Sequence, residues 1–300
     1  CRARSSVRVP SVFSLYFRRA HSGYGKIYPD AWPMHWINLL GEHRVAELKA
    51  LIFDVDGTLA ETERDGHRPA FNQAFTDAGL DWDWSPARYG ELLEVSGGKE
   101  RMQAFVQSSL PDFVLPEGVG DLTAFIKQLH ATKTKYYKQY AAEGKIPLRP
   151  GVERLLNEAR EKGIRLAIAT TTTPANVQAL LEKTLGAESL NWFDVIAAGD
   201  MVPHKKPAPD VFEYALVHLD LPPENCLGFE DTNNGLLSAT QTGLKTVVTV
   251  NDYTRQQDFS KATLVISDFG EPEAPFTVIS GDAGDARYFD IALAKRLCEA

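Results

Sequence analysis

Two aspartates one residue apart, Asp54 and Asp56, close the apolar run of residues 50–53 ("ALIF") and are followed at once by Gly57 and Thr58. A run of that kind ends in a surface turn or in the working end of a buried strand. Three more segments repeat the pattern. Thr170 and Thr171 follow "IRLAIA", Lys205 and Lys206 follow "DVIAA", and Glu230 and Asp231 follow "CLGF". Singly, each is ordinary turn or loop chemistry. Together, at four strand ends, they would place carboxylates, hydroxyls and an ammonium on one rim, because ligands of an open parallel sheet bind outside its carboxyl ends.

Those types suit phosphoryl transfer. Three carboxylates and a carbonyl form a hard-oxygen set for Mg²⁺, which neutralises a phosphoryl group and lets an anionic nucleophile approach it. Lys206 and the Thr170 hydroxyl can take the remaining phosphoryl oxygens as charge develops. A carboxylate nucleophile gives an aspartyl-phosphate. A second carboxylate two residues on can protonate the leaving oxygen and then activate water. Gly57 permits the tight turn that aims backbone N–H groups at the phosphate.

The elements that must position these groups alternate. Strands are expected at 50–53, 164–169, 194–198, 225–229 and 244–250. Helices with apolar faces at i, i+3, i+4, i+7 lie between the later ones, such as Val152, Leu155, Leu156 and Ala159. Residues 64–147 break the alternation and read as wholly helical. The fold class is therefore α/β: a Rossmann-like, doubly wound parallel sheet (48–63 and 148–267) with an inserted all-helical cap domain (64–147). "LAETE" and "IPLRPG" are the expected hinges. Residues 268–300 read as a Pro/acid linker with one strand (276–279) and a short helix (289–297), a tail without an assigned role.

Composition narrows the class. The 300-residue chain has a formal net charge of −8, which argues against general nucleic-acid binding while leaving small anionic substrates open. Cys1, Cys226 and Cys298 are too scattered for a disulfide framework or a zinc site, and no run reaches the length of a membrane span. Residues 1–47 are expected to stand outside the fold. Residues 1–28 hold five arginines, one lysine and no acid. They read as upstream sequence before Met34 in a bacterial cytoplasmic protein, or as a transit peptide to a plastid stroma.

The segments "DVDGTLAET", "IATTTT", "KKPAPD" and "GFEDTNNG" resemble, in order, the four motifs of the haloacid dehalogenase superfamily of phosphotransferases. The resemblance covers roughly residues 48–267. It implies that Asp54 is the nucleophile, and that Asp56 is the acid/base and lends its backbone carbonyl to Mg²⁺. It implies Thr170, Thr171 and Lys206 as phosphate binders, Asp231 as the remaining metal ligand, and Glu230 as a ligand or its support. Asp56 argues against a true dehalogenase, which has no alkoxide to protonate.

Substrate choice belongs to the cap. In "SGGKERMQAF" (96–105) a Gly pair opens an expected helix, and Lys99 and Arg101 add charge, which reads either as an anion site or as a flexible basic loop. "LDWDWSPARYGELLEVSGGKER" and "FDVIAAGDMVPHKKPAPDVF" resemble the CbbY-type phosphatases, which remove the C1 phosphate of xylulose 1,5-bisphosphate. That likeness implies a sugar-bisphosphate substrate, and the chain is expected to be a monomer. Lys99 and Arg101 would hold the unreacted phosphate, and Glu63, Tyr89 and Asn176 would contact the sugar. Gly66 and Pro69 depart from the pattern, imply an altered start to the first cap helix, and leave the role of His67 open. A β-phosphoglucomutase-like isomerase, a phosphoglycolate-type phosphatase and a non-catalytic sugar-phosphate sensor are the competing readings.

Overall fold

The computed structural model describes residues 46–300 apart from 117 and 119, so the expectations for residues 1–45 lie outside the described residues. Seven strands form one sheet: β1 Ala50–Phe53, β2 Arg165–Thr170, β3 Val195–Ala198, β4 Cys226–Glu230, β5 Lys245–Thr249, β6 Leu264–Ile266 and β7 Val278–Gly281. Their order is β3-β2-β1-β4-β5-β6-β7. The first six are mutually parallel and β7 is antiparallel to β6. Strand β1 is buried at every position, as a parallel strand covered on both faces must be, which is why it reads as a continuous apolar run.

The chain fills positions to one side of β1 first (β2, β3), then crosses to the other (β4, β5, β6). Such a reversal opens a crevice beside the central strand at the carboxyl edge. Register sets its floor: Phe53 pairs with both Ile168 and Phe229, so Asp54 and Glu230 leave their strands side by side.

The cap consists of α1 Arg68–Asp77, α2 Pro86–Leu92, α3 Gly98–Ser109 and α4 Leu122–Ala142. Its core is aromatic, with Phe75 and Trp84 centroids 4.9 Å apart and Trp82 and Phe105 5.4 Å apart. A π-helical turn, Glu63–His67, precedes α1, and Pro69 falls in the first turn of α1, where its missing N–H is harmless. A Cβ on Gly66 would meet Ile146 at 2.5 Å. The segment that holds these two residues is a tight turn pressed against the hinge.

The two hinges lie side by side, bridged between Ala60 and Leu148. Behind them the core helices are α5 Val152–Glu161, α6 Pro174–Leu185, α7 Asp210–Leu219, α8 Asn233–Gln241 and α9 Ile291–Glu299. Thr173 caps α6 and Thr232 caps α8 through their side-chain oxygens. No described helix is long and apolar enough to cross a membrane.

Two features differ from the sequence expectation. Strand β6 has only three residues, too few to show a period, and it is absent from the expected list. The segment after 268 is packed rather than linker-like. Phe269, Phe289 and Ile291 are fully buried, and the rings of Phe269 and Phe289 pack on Phe229 at 5.4 and 5.3 Å. The Arg154 guanidinium donates to the carbonyls of Phe269, Gly270 and Phe289, fastening the segment to α5. The strand and helix there start about two residues later than expected, at Val278 and Ile291.

Candidate active site

The strand ends do converge. Asp54, Glu230 and Asp231 are each buried, with carboxylate oxygens within 4.8 Å of one another. Lys206 Nζ stands among them, 2.5 Å from Asp54 Oδ1, 2.5 Å from Glu230 Oε1 and 2.9 Å from the carbonyl of Ala169. Burial works against the ammonium, but Asp54 and Glu230 outweigh it and hold Lys206 protonated. Burial pushes the Asp54 carboxyl well above its usual range against the pull of Lys206, and Glu230 adds to the push. Asp231 is raised by burial, Asp54 and Glu230, with Arg149 opposing.

Three acids thus face one ammonium at this spot among the described residues. The donor set is oxygen-rich, buried and short of positive charge, so it fits a hard divalent cation such as Mg²⁺. Asp54, Asp231 and a backbone carbonyl would be its ligands. Glu230 is already spent on Lys206, on the amide of Asp231 and on Thr232 Oγ1, which makes it a support for that pair.

Two glycines make the crowding possible. Gly57 has φ +84°, and a Cβ there would lie 2.2 Å from Asp231 Oδ2. A Cβ on Gly235 would lie 1.9 Å from Glu230 Oε2. Asn251, at the carboxyl end of β5, donates from Nδ2 to Asp231 Oδ2 at 2.6 Å and fixes that carboxylate. Arg149, buried at the second hinge, donates to the carbonyls of Gly57, Val250 and Ser267, tying the Asp54–Gly57 turn to the ends of two further segments.

Asp56 faces the other way. Its Oδ1 lies 2.9 Å from His67 Nε2, and His67 Nδ1 lies 2.6 Å from Lys133 Nζ. An ammonium that donates to Nδ1 leaves the ring hydrogen on Nε2, which then donates to Asp56. Burial opposes the Asp56 charge, yet His67, Thr62 and Lys133 together hold it down at about 2. Lys133 itself, buried in the cap, is lowered to about 8 by burial, although Asp56 and Glu63 support its charge.

Two clefts of about 500 and about 440 Å³ share Asp56, Glu63, Gly97, Arg101 and Thr171 in their walls and so run into each other. One holds Asp54, Lys206, Glu230 and Asp231; the other holds Lys99, Lys133, Asn176, Asp200 and Lys205. Thr171 lines both, whereas Thr170 Oγ1 accepts from the amide of Thr172 at 3.2 Å behind the wall. Asn176 is buried. Its Nδ2 donates to Thr172 Oγ1 at 3.1 Å and its Oδ1 has no partner among the described residues.

Tyr89 departs from the sequence expectation of sugar contact. It is fully buried, donates its hydroxyl to Glu63 and accepts from Arg101 Nη1 at 2.9 Å, so its polar atom is committed inside the cap. Arg101 also donates from Nε to the carbonyl of Leu92, at 3.1 Å. Arg101 is thus partly a structural post of the cap as well as a wall of both clefts. Lys99 pairs with Asp200 at 2.9 Å.

Lys133, Asn251 and Arg149 are absent from the sequence-derived set. A signal existed for two of them. Lys133 interrupts the apolar face Phe125, Ile126, Leu129, Tyr137 at helical spacing, and Asn251 follows a strand end as Asp54 does.

Residues 48–243 match the family model of haloacid dehalogenase-like hydrolases. "Protein CbbY" of Rhodobacter capsulatus is 51% identical over 222 residues, covering 74% of this chain and 94% of that protein. A "CBBY-like protein" of Arabidopsis thaliana is 37% identical over 223 residues, covering 74% of this chain and 70% of that protein. Among solved structures, an Asp-to-Asn mutant of CbbY from Rhodobacter sphaeroides in complex with xylulose-(1,5)bisphosphate is 44% identical. It has a TM-score of 0.67, over 74% of this chain and 94% of that one.

Proposed function

The chain belongs to the haloacid dehalogenase-like hydrolases and is a phosphatase, and on that premise we propose that it hydrolyses the C1 phosphate of xylulose 1,5-bisphosphate in a Mg²⁺-dependent reaction. One observation carries this reading: the acid cluster around Lys206 opens into a second cleft whose walls hold Lys99 and Arg101, room and charge for a second phosphate on one small molecule. A monophosphate would leave Lys99 facing the cleft with only the partly exposed Asp200 as its partner.

An Asp54 carboxylate oxygen attacks phosphorus, forming the aspartyl P–O bond as the bond to the C1 oxygen breaks. Lys206 and Thr171 hold the equatorial oxygens. Asp54, Asp231 and the Asp56 carbonyl would hold Mg²⁺, which supplies the positive charge that lets two anions meet. Asp56 is an anion while it touches His67, and a turn away from His67 removes what keeps its pKa low. Facing the phosphoryl group in a buried cleft, it takes up a proton from solvent and delivers it to the departing alkoxide. In the second half, Asp56 takes a proton from water, the hydroxide attacks phosphorus, and inorganic phosphate leaves as Asp54 is regenerated. Glu63 and the open Asn176 Oδ1 accept sugar hydroxyl hydrogens, and Tyr89 orients Glu63 and Arg101 from behind. A bacterial cytosol or a plastid stroma fits such a substrate.

The test is phosphate release with Mg²⁺ on xylulose 1,5-bisphosphate, ribulose 1,5-bisphosphate, β-glucose 1-phosphate and phosphoglycolate, with Asp54→Asn as the blank. Preference for the xylulose ester and a loss of at least about 10³-fold in Asp54→Asn are expected. Glucose 6-phosphate formed without free phosphate would show a mutase instead. Residual turnover near wild type in Asp54→Asn would show that another group is the nucleophile.

A further inference from the structure

Lys99, at the start of α3 in the cap, does not wait free in its cleft. Its ammonium is 2.9 Å from Asp200 Oδ2, on the core segment after β3. Asp200 has a second partner, Lys205 Nζ at 3.2 Å from Oδ1, and Lys205 in turn lies 3.2 Å from Glu100 Oε1 in the cap. All but Glu100 are in the wall of the larger cleft. A Cβ on Gly97 would sit 2.3 Å from Glu100 Oε2 and 3.0 Å from Lys205 Nζ, so the bare glycine leaves room for that pair.

We propose that Asp200 is the internal counter-anion of the second phosphate subsite: it keeps Lys99 neutralised until a phosphate dianion displaces it, and so competes with the second phosphate and tempers bisphosphate binding. The inference rests on the reading of Lys99 as the ligand of the unreacted phosphate.

Three features make the exchange physically reasonable. The side chains of Lys99 and Asp200 are 37% and 66% exposed, so their attraction is weakened by water and is easily replaced. A phosphate monoester carries a charge of about −1.5 to −2 near neutrality with several acceptor oxygens, and outcompetes a single carboxylate for an ammonium. Asp200 is not stranded when Lys99 leaves, because Lys205 remains beside it. Anions with one charge gain little from the exchange. The carboxylate therefore filters by charge, as well as linking cap to core before the ligand arrives.

The experiment compares xylulose 1,5-bisphosphate with p-nitrophenyl phosphate in Asp200→Asn, Asp200→Glu and Lys99→Ala. Asp200→Asn should lower KM for the bisphosphate and raise the bisphosphate-to-monophosphate ratio of kcat/KM by about fivefold, the worth of one exposed ion pair. Asp200→Glu, which retains the counter-anion, should return the ratio toward wild type. A ratio that falls in Asp200→Asn would show that the pair is a clasp needed for binding, and an unchanged ratio would show a bystander; either overturns the proposal. The underlying reading fails separately, when Lys99→Ala leaves KM for the bisphosphate unmoved.

Discussion

The two halves of the cleft are held together in opposite ways. On the core side, Asp54 and Glu230 are buried and set side by side by sheet register, Lys206 is buried between them, and glycines at 57 and 235 leave no room for a side chain. On the cap side, Lys99, Glu100, Asp200 and Lys205 form a chain of partly exposed ion pairs that can change partners without leaving a buried charge uncompensated. On the proposed reading, the chemistry stands where geometry is fixed by the fold, and selectivity stands where exchange is cheap. A reaction centre needs preorganisation, whereas a subsite that must admit and release a ligand needs the reverse.

The sharpest way to break this contrast is at Lys206. Lys206→Met leaves Asp54 and Glu230 buried against each other without a cation, and kcat should fall about 10²–10³-fold, with a matching loss in stability. A modest loss in single-turnover assays would mean that the core site is less dependent on its fixed ammonium than the contrast requires. The cap should behave differently. Lys99→Ala should raise KM for the bisphosphate about tenfold while p-nitrophenyl phosphate is affected far less. Arg101→Ala should harm both substrates, since it also releases Tyr89 and Glu63. Equal effects of the two substitutions on both substrates would erase the distinction between post and ligand.

The smallest effect is a slope. Lys133 is held at about 8, below an ordinary lysine, so between the two values the unfolded chain binds more protons than the folded one. Stability therefore rises with pH across that window, by at most ~1.4 kcal/mol per pH unit. Lys133→Met should flatten that part of the wild-type profile in denaturant titrations from pH 8 to 10.5. Parallel profiles for the two proteins would show that Lys133 titrates normally.

The motif residues were legible because a parallel sheet turns sequence order into spatial convergence: four strand ends, however far apart, face one rim. Asp56 shows the limit. Its spacing from Asp54 predicts a shared task, but only the structure shows it turned to His67 and Lys133, because that contact depends on how α4 lies over the Glu63–His67 turn. Tyr89 reads as a cleft residue in sequence, since nothing local reports that its hydroxyl is spent on Glu63 and Arg101. Asp200 carried no signal at all: an acid in "AAGDM" looks like any loop acid until Lys99, about a hundred positions away, is placed beside it. The packed segment after 268 escaped for another reason. Its buried rings are spaced irregularly, and irregular contacts have no period to detect.

That last segment changes how the protein can be handled. Phe269 and Phe289 form part of the layer beneath Phe53 and Phe229, the residues just before Asp54 and Glu230. Trimming the chain back to residue 267 would strip the ring packing from beneath Phe53 and Phe229, directly under Asp54 and Glu230. An affinity label added after Ala300 would hang from an anchored helix, with Cys298 buried two residues before it. Anyone designing a fused version should treat these residues as foundation, and should place insertions in the exposed stretch 272–275 instead.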